Sequence, residues 1–261
     1  TLVAALGGFL FGYDWVVIGG AKPFYEAFFG LTTPSQIAWA MSSALVGCLL
    51  GALVSGGLSD RFGRKRLLAL AGFLFTISAV GTALAGDFDV FIASRIVGGV
   101  GIGLASNLSP MYIAEISPAA IRGRLVSVNQ LTIVIGILAA QLVNWLIARP
   151  VPPGAAAAEI LASWNGRAGW RWMFGAETLP AVLFFVLMFT IPESPRWLAK
   201  SGRDDIAERI LARIGGTGFA ARALAEIKDT LSAGDIERVR FRTLLEPGLA
   251  RVLLIGVVLA V

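Results

Sequence analysis

Histidine is absent from this sequence of 261 residues, and Cys48 is its only cysteine. The lack of histidine excludes histidine-based acid–base catalysis, and together with the single cysteine it excludes the usual zinc sites. One cysteine also excludes an internal disulfide. Charged residues make up only 15% of the chain, against about 25% in an ordinary soluble domain. The chain is instead 56% hydrophobic, which is typical of a membrane protein.

The net charge of +5 does not point to a nucleic-acid partner. A nucleic-acid-binding domain would need a separate basic segment with aromatic residues between the cations, and the sequence contains none. It also contains no recognisable pairing of a nucleophile with a base and no metal-ligand spacing. We therefore expect neither an enzyme, nor a cofactor, nor a metal site.

Six segments are long and apolar enough to cross a bilayer as helices, which takes about 20 residues each. They lie at about 1–21, 36–58, 67–86, 90–112, 125–147 and 170–191. The sequence predicts an all-α membrane protein. Residues 1–191 form a six-helix transmembrane bundle, 192–248 a cytoplasmic helical linker domain, and 249–261 the truncated start of helix seven. Since the chain begins with Thr and ends inside an apolar run, we expect a fragment of a longer protein.

The basic residues of the short loops predict the orientation of the bundle. The loops after spans two and four carry six basic residues, and the loops on the opposite side carry three. Cytoplasmic loops of membrane proteins are the ones enriched in Lys and Arg. The loops after spans two and four are therefore expected in the cytoplasm, together with the N-terminus, and a plasma (inner) membrane location is expected.

The segment 192–248 holds ten Lys/Arg and nine Asp/Glu. Within it, 203–216 has apolar residues four apart, at Ile206, Ile210 and Ile214, a pattern that predicts an amphipathic helix. A second helix is predicted at 221–231. The mixed charges favour solvated helices on the cytoplasmic face over a lipid anchor.

The run "GGVGIGLAS" at 98–106 invites comparison with the nucleotide-binding pattern G-x-G-x-x-G. Its glycine spacing differs, and it lies within an apolar helix rather than at a strand-to-helix turn. Gly99 and Gly103 are one helical turn apart, so the run predicts a close helix–helix crossing.

Asp14 and Arg95 are the strongly ionisable residues that lie well inside spans one to five. A charge at membrane depth is costly, so such residues usually face the protein interior and pair. Their opposite signs predict a pair between helices one and four. The pair could serve a function or simply lock the two helices together.

"GGLSDRFGRKR" at 56–66 joins the second and third spans. Its four cations could be an orientation signal alone, but Asp60 and the turn-forming Gly63 are then unexplained. We expect Asp60 to pair with Arg64 or a neighbouring helix in a cytoplasmic charge clamp.

Five such motifs, in this order along the chain, resemble signatures of the major facilitator superfamily and its sugar porter branch. They are "FGYD", "GGLSDRFGRKR", "SPMYIAEISPAAIRGRLVSVNQL", "GWRWMF" and "PESPRWL". Within that branch, the chain resembles the bacterial xylose–proton and glucose–proton symporters. The resemblance implies twelve helices in two six-helix bundles, of which this chain would hold the first bundle and the linker helices.

The resemblance also implies roles for individual residues. Asp14 matches the proton-coupling aspartate, with Arg95 as its partner. Gln130 matches a sugar-binding glutamine, with Phe11 and Ile133 lining the same pocket; the alternative for Gln130 is a hydrogen bond between helices. Ile137 stands where the xylose symporters have a second glutamine. The cytoplasmic charge network would comprise Asp60, Arg61, Arg64, Glu115, Arg122, Arg124, Glu193 and Arg196.

These matches imply sugar transport by alternating access, with proton symport of a monosaccharide, hexose or pentose. The implied partners are the monosaccharide, the proton, the lipid bilayer and a C-terminal half of the same chain beyond Val261. The alternatives are an uncoupled sugar facilitator and a transporter-like sugar sensor.

Overall fold

The computed structural model describes residues 1–152, 154–232 and 249, and the regular structure of these residues is entirely helical. Six of its helical stretches are long and apolar enough to cross a membrane, which confirms the predicted number. Five are continuous or nearly so, at Leu2–Phe29, Pro34–Phe62, Arg64–Leu84, Phe88–Ile116 and Ala119–Ile147, and the sixth is Asn165–Met188. The predicted helix seven lies outside the described residues apart from Leu249.

The helices are numbered in chain order. The first five spans contain α1 (Leu2–Phe29), α2 (Pro34–Phe62), α3 (Arg64–Leu84), α4 (Phe88–Ile116) and α5 (Arg122–Ile147). The short α6 (Ala157–Ala162) precedes the sixth span, which holds α7 (Trp170–Gly175) and α8 (Thr178–Met188). The remaining helices are α9 (Pro195–Lys200), α10 (Asp204–Gly215) and α11 (Thr217–Ser232).

Several helices extend beyond the apolar segments because polar residues cap their ends. Thr33 begins α2 with a capping box: its hydroxyl accepts from the Gln36 amide nitrogen, and the Gln36 side chain accepts from the Thr33 amide nitrogen. The Asp87 carboxylate accepts from the Val90 amide nitrogen at 2.9 Å and begins α4. A search for apolar segments alone therefore misses these polar first turns.

Glycines bring α2 and α4 into backbone contact, as the run at 98–106 predicted. A Cβ atom on Gly99 would lie 2.0 Å from the Ala44 carbonyl oxygen, and one on Gly103 would lie 2.2 Å from that of Cys48. Gly47 and Gly51 on α2 face α4 in the same way. No larger side chain fits at such distances, so the prediction of a close crossing is confirmed.

The sixth span is interrupted rather than continuous. A π-helical turn at Asn165–Gly169 leads into α7, and α8 begins only at Thr178. Pro180 lies in the first turn of α8, where its missing N–H costs no helical hydrogen bond. Glu177 directly precedes α8, in the break between the two helices.

The chain divides into two compact units, Thr1–Leu198 and Ala199–Val261. The sequence placed this boundary at 191/192, so the structure assigns 192–198 to the bundle. Ser194, Trp197 and Leu198 are buried there, and the Trp197 indole N–H donates to the Asp60 carbonyl oxygen at 2.9 Å.

The described part of the second unit is a pair of helices, as predicted. The acidic residues Asp204 and Asp205 begin α10, and an ion pair joins Asp204 to Lys228 of α11. The buried residues of α10 are Ala207, Ile210 and Leu211, whereas Ile214 is exposed. A strict spacing of four residues drifts around a helix of 3.6 residues per turn, so Ile214 leaves the buried face.

Candidate functional site

The charged pair expected inside the bundle is formed. Asp14 of α1 and Arg95 of α4 are each only 2% exposed, and an Arg95 guanidinium N–H donates to the Asp14 carboxylate. The Arg95 guanidinium also lies 5.7 Å from the ring centre of Phe174. Pairing and an aromatic face both reduce the cost of keeping an arginine away from water.

Glu177 is a third ionisable residue at this site and was not predicted. It is 2% exposed and interacts with both Asp14 and Arg95. The prediction of a charged pair was confined to the first five spans, and Glu177 belongs to the sixth. It is the only acidic residue between Trp170 and Ile191, which is the signal that identifies it in the sequence.

The proximity of the two carboxyl groups has a chemical consequence. Asp14 and Glu177 interact electrostatically, and the Asp14 Oδ2 and Glu177 Oε1 atoms are both buried without a hydrogen-bond partner within the described residues. Two ionised carboxylates repel each other away from water, which favours a proton on one of them. One proton also balances the charge of the cluster, because the remaining carboxylate pairs with Arg95. The arrangement is therefore able to hold one exchangeable proton inside the bundle.

A second cluster, here called the Arg64 clamp, consists of Asp60, Arg64, Glu115, Glu193 and Ser194. The Arg64 guanidinium makes two parallel bonds to the Glu115 carboxylate, at 3.0 and 3.1 Å, and one to Asp60 at 3.2 Å. Ser194 donates its hydroxyl hydrogen to Glu115. The fork of an arginine fits a carboxylate in this bidentate way, which makes the contact directional as well as strong.

Glu193 supplies the cap for α3 from a distant part of the chain. The N-cap of that helix is Gly63, whose φ of 93° disfavours any residue with a side chain and which offers no cap of its own. The Glu193 carboxylate accepts from the amide nitrogens of Arg64 and Lys65, at 3.1 and 3.0 Å. An anion is favourable at a helix N-terminus.

The clamp thus ties the end of α2, the start of α3, the end of α4 and residues 193–194 together. The other members of the predicted network stay apart from it. In the described part of the chain, no ion pair is formed by the exposed side chains of Arg61, Arg122, Arg124 and Arg196.

The three residues assigned to sugar binding line one cavity of about 290 Å³. Phe11 comes from α1, and Gln130 and Ile133 come from α5. The Gln130 side chain is exposed and makes no hydrogen bond within the described residues, so the alternative of a bond between helices is not formed there. The wall of the cavity also includes Gly8, Ser106, Pro110, Val126, Ser127 and Asn129.

Comparison with known proteins assigns a family to the chain. The model of the family described as "Sugar (and other) transporter" matches residues 1–261. The D-xylose-proton symporter of Escherichia coli (strain K12) is 44% identical over 259 residues, covering 90% of this chain and 51% of the relative. The arabinose-proton symporter of Bacillus subtilis (strain 168) is 42% identical over 261 residues, covering 100% and 53%.

A solved structure is similar as well. The xylose transporter of E. coli in a partially occluded inward open conformation superposes with a TM-score of 0.82 at 43% identity. The match covers 90% of this chain and 59% of that one. The chain therefore spans about half the length of the curated relatives it matches.

Proposed function

The chain belongs to the sugar transporter family, and on that premise we propose that it is the N-terminal half of a proton-coupled monosaccharide symporter. The family consists of multi-span membrane transporters rather than enzymes. Proton symport is named for the xylose and arabinose relatives, and also for a galactose-proton symporter of E. coli that is 40% identical. The substrate of this chain is accordingly a hexose or a pentose.

The observation that carries the coupling is the buried cluster of Asp14, Arg95 and Glu177. A proton held between the two carboxyl groups lets Asp14 and Arg95 remain paired at low cost. When the proton leaves, the cluster carries a net negative charge, which is unfavourable away from water. A conformation that separates Arg95 from Asp14 therefore favours protonation, and one that brings them together favours release. Alternation between two such conformations couples the proton to the transport cycle.

The cavity supplies the sugar-binding half of the proposal. An amide both donates and accepts hydrogen bonds, as a sugar hydroxyl does, so the free amide of Gln130 is suited to bind one. Phe11 offers an apolar face beside it, and Ile133 closes the same wall. Phe11 lies one helical turn before Asp14 on α1. A movement of α1 would therefore shift side chains of both the sugar cavity and the proton site.

We propose that the Arg64 clamp is part of a latch on the cytoplasmic side that stabilises the outward-facing conformation. The observed contacts of the clamp all lie within this bundle, so the clamp holds one corner of the bundle rigid. The latching contacts themselves are assigned to the exposed cations of the same cytoplasmic segments, Arg61, Arg122, Arg124 and Arg196, with partners in the C-terminal half. The same basic loops orient the bundle, with the N-terminus in the cytoplasm and the protein in the inner membrane.

Uptake into proteoliposomes tests this function. The full-length protein is reconstituted with an imposed pH gradient and supplied with radiolabelled xylose, arabinose, galactose or glucose. A symporter accumulates one of these sugars above the external concentration and loses the accumulation when a protonophore collapses the gradient. An uncoupled facilitator equilibrates the sugar without accumulating it, and a sensor binds it without uptake. Either result would refute the proposed coupling.

A further inference from the structure

The wall of the sugar cavity contains a buried asparagine side chain that makes no hydrogen bond to any residue the structure describes. Asn129 of α5 is 7% exposed and lines the cavity next to Gln130. Its Oδ1 is buried and accepts no hydrogen bond within the described residues. Buried polar groups are nearly always hydrogen-bonded, so an unpartnered one at the edge of a cavity indicates a ligand or a water molecule.

A second asparagine of the same helix shows what a purely structural amide does here. Asn144 is also 7% exposed and faces α1, and its Oδ1 is likewise buried without a partner within the described residues. The difference lies in the amide nitrogen: the Asn144 Nδ2 donates to the Val17 carbonyl oxygen at 3.2 Å, whereas the Asn129 side chain makes no hydrogen bond to α1. At the level of Asn129, the contact between α5 and α1 is made instead by Thr132, whose hydroxyl donates to the Ala5 carbonyl oxygen at 2.7 Å. The Asn129 amide is therefore not needed to join the two helices.

The absence of a side chain at Gly8 provides the space that the Asn129 amide occupies. A Cβ atom on Gly8 would lie 2.9 Å from the Asn129 Oδ1 and 2.8 Å from its backbone oxygen. Gly8 lines the cavity as well. The Asn129 amide therefore lies at the contact between α1 and α5, and both helices contribute to the cavity wall there.

The part of the wall that α4 contributes contains a carbonyl group without its helical donor. Pro110 lies inside α4 and has no N–H, so the carbonyl oxygen of Ser106, four residues earlier, receives no helical hydrogen bond from it. Ser106 and Pro110 both line the cavity. The wall therefore combines two amides with a backbone carbonyl that is available to accept.

We propose that Asn129 is a second sugar-binding side chain of this cavity, and that it binds one hydroxyl of a vicinal pair whose neighbour is bound by Gln130. The Ser106 carbonyl accepts from a further hydroxyl. The cavity of about 290 Å³ in this half of the protein has room for one sugar ring. This inference rests on the proposed function and extends it to a second sugar-binding residue.

The test compares two matched substitutions in the full-length protein. Asn129→Ala and Asn144→Ala remove the same group from the same helix at the same exposure. Sugar affinity is measured by calorimetry with whichever of xylose, arabinose, galactose or glucose the wild type binds most tightly, and thermal stability is measured alongside. We expect Asn129→Ala to weaken binding about three- to tenfold, as loss of one buried hydrogen bond does, and Asn144→Ala to lower Tm without weakening binding.

Asn129→Ser serves as a second variant, because it keeps a small polar group next to Gly8 and is expected to fold while losing the reach of the amide. Unchanged affinity in Asn129→Ala and Asn129→Ser, with Gln130→Ala clearly weakened, overturns the role of Asn129 and leaves the proposed function standing. A loss of sugar affinity in Asn144→Ala equal to that in Asn129→Ala would also overturn the role of Asn129. A wild type that binds none of the four sugars overturns both this inference and the proposed function.

Discussion

Asp14 lies where an ionised carboxylate is tolerated only with a partner, and the chain provides two partners of opposite character. Arg95 stabilises the ionised form through an ion pair, and the buried Glu177 carboxyl group interacts with Asp14 as a second acid. If Asp14 served only to hold α1 against α4, Arg95 would be a sufficient partner. The second carboxyl group makes the charge of the cluster depend on one proton, which is the property that coupling requires.

We therefore predict that Asp14→Asn abolishes accumulation of sugar in the full-length protein. Asparagine resembles the protonated acid, so the cluster would remain in its protonated form throughout the cycle. Sugar binding and exchange down a gradient should persist. Uptake driven by a pH gradient in proteoliposomes measures the first effect, and counterflow of labelled sugar measures the second.

Asp89→Asn is the matched control for this prediction. Asp89 is an exposed acid in the first turn of α4, the helix that carries Arg95, and it forms no ion pair in the described part of the chain. Its replacement should leave accumulation at the wild-type level. Continued accumulation by Asp14→Asn with the wild-type pH dependence would refute the proton-carrying role of Asp14.

The helices depend on glycine to an unusual degree where α2 crosses α4. The backbone contact there leaves no room for a methyl group at Gly99, because the Ala44 carbonyl oxygen would lie 2.0 Å from it. Neither backbone can move without displacing a whole helix. Elsewhere on α2 the glycines are unconstrained: a Cβ atom on Gly57 would have no neighbouring atom within 4 Å.

This contrast gives a prediction for stability. Gly99→Ala should destabilise the bundle by about 1–3 kcal/mol, the usual cost of forcing extra atoms into a packed interior. Gly57→Ala should be neutral or stabilising by up to about 1 kcal/mol, since alanine is the better helix former. Thermal unfolding in detergent measures both variants. Equal Tm values for the two would contradict the close crossing.

The helices also show which features of the fold can be predicted from the sequence. All six spans follow from apolar segments of the length of a bilayer, and the close crossing follows from the one-turn spacing of Gly99 and Gly103. The break between α7 and α8 does not, because the average apolar character of 170–191 is insensitive to a single local turn. Glu177 was overlooked because the charged pair was predicted only for the first five spans, although it is the single acid in that segment.

The site was predictable where a motif fixed the residue and its neighbours together. Asp60, Arg64 and Glu115 meet as the motifs implied. The cap that Glu193 forms on α3 depends on the fold of a segment 129 residues away, which no local pattern encodes. The proposed role of Asn129 likewise depends on a cavity that α1, α4 and α5 form together, which no single segment of the sequence indicates.

At the scale of the whole molecule, a transporter of this design needs each bundle to move as a rigid body. The Arg64 clamp contributes to that rigidity, because one guanidinium joins α2, α3 and α4 while Glu193 and Ser194 attach the segment that follows the sixth span. The sugar cavity and the proton site involve none of these residues. Loss of the clamp should therefore affect movement between conformations more than binding.

Arg64→Gln in the full-length protein tests this separation. The substitution removes charge-assisted bonds worth about 1.5–3 kcal/mol from the corner that positions the latching cations, and a loss of about 1.4 kcal/mol from the latched conformation shifts the balance between conformations about tenfold. We expect uptake to fall by a similar factor while the sugar Kd changes much less, since the cavity is intact and only the fraction of the competent conformation changes. Arg66→Gln, which changes an exposed cation of the same helix, is the control and should behave as wild type. Uptake is measured in proteoliposomes, Kd by calorimetry, and the conformational balance by the distance between spin labels on the two halves. If Arg64→Gln lowers sugar affinity as much as uptake, and the label distances do not change, the clamp is not a latch and its charges serve the folding of the bundle alone.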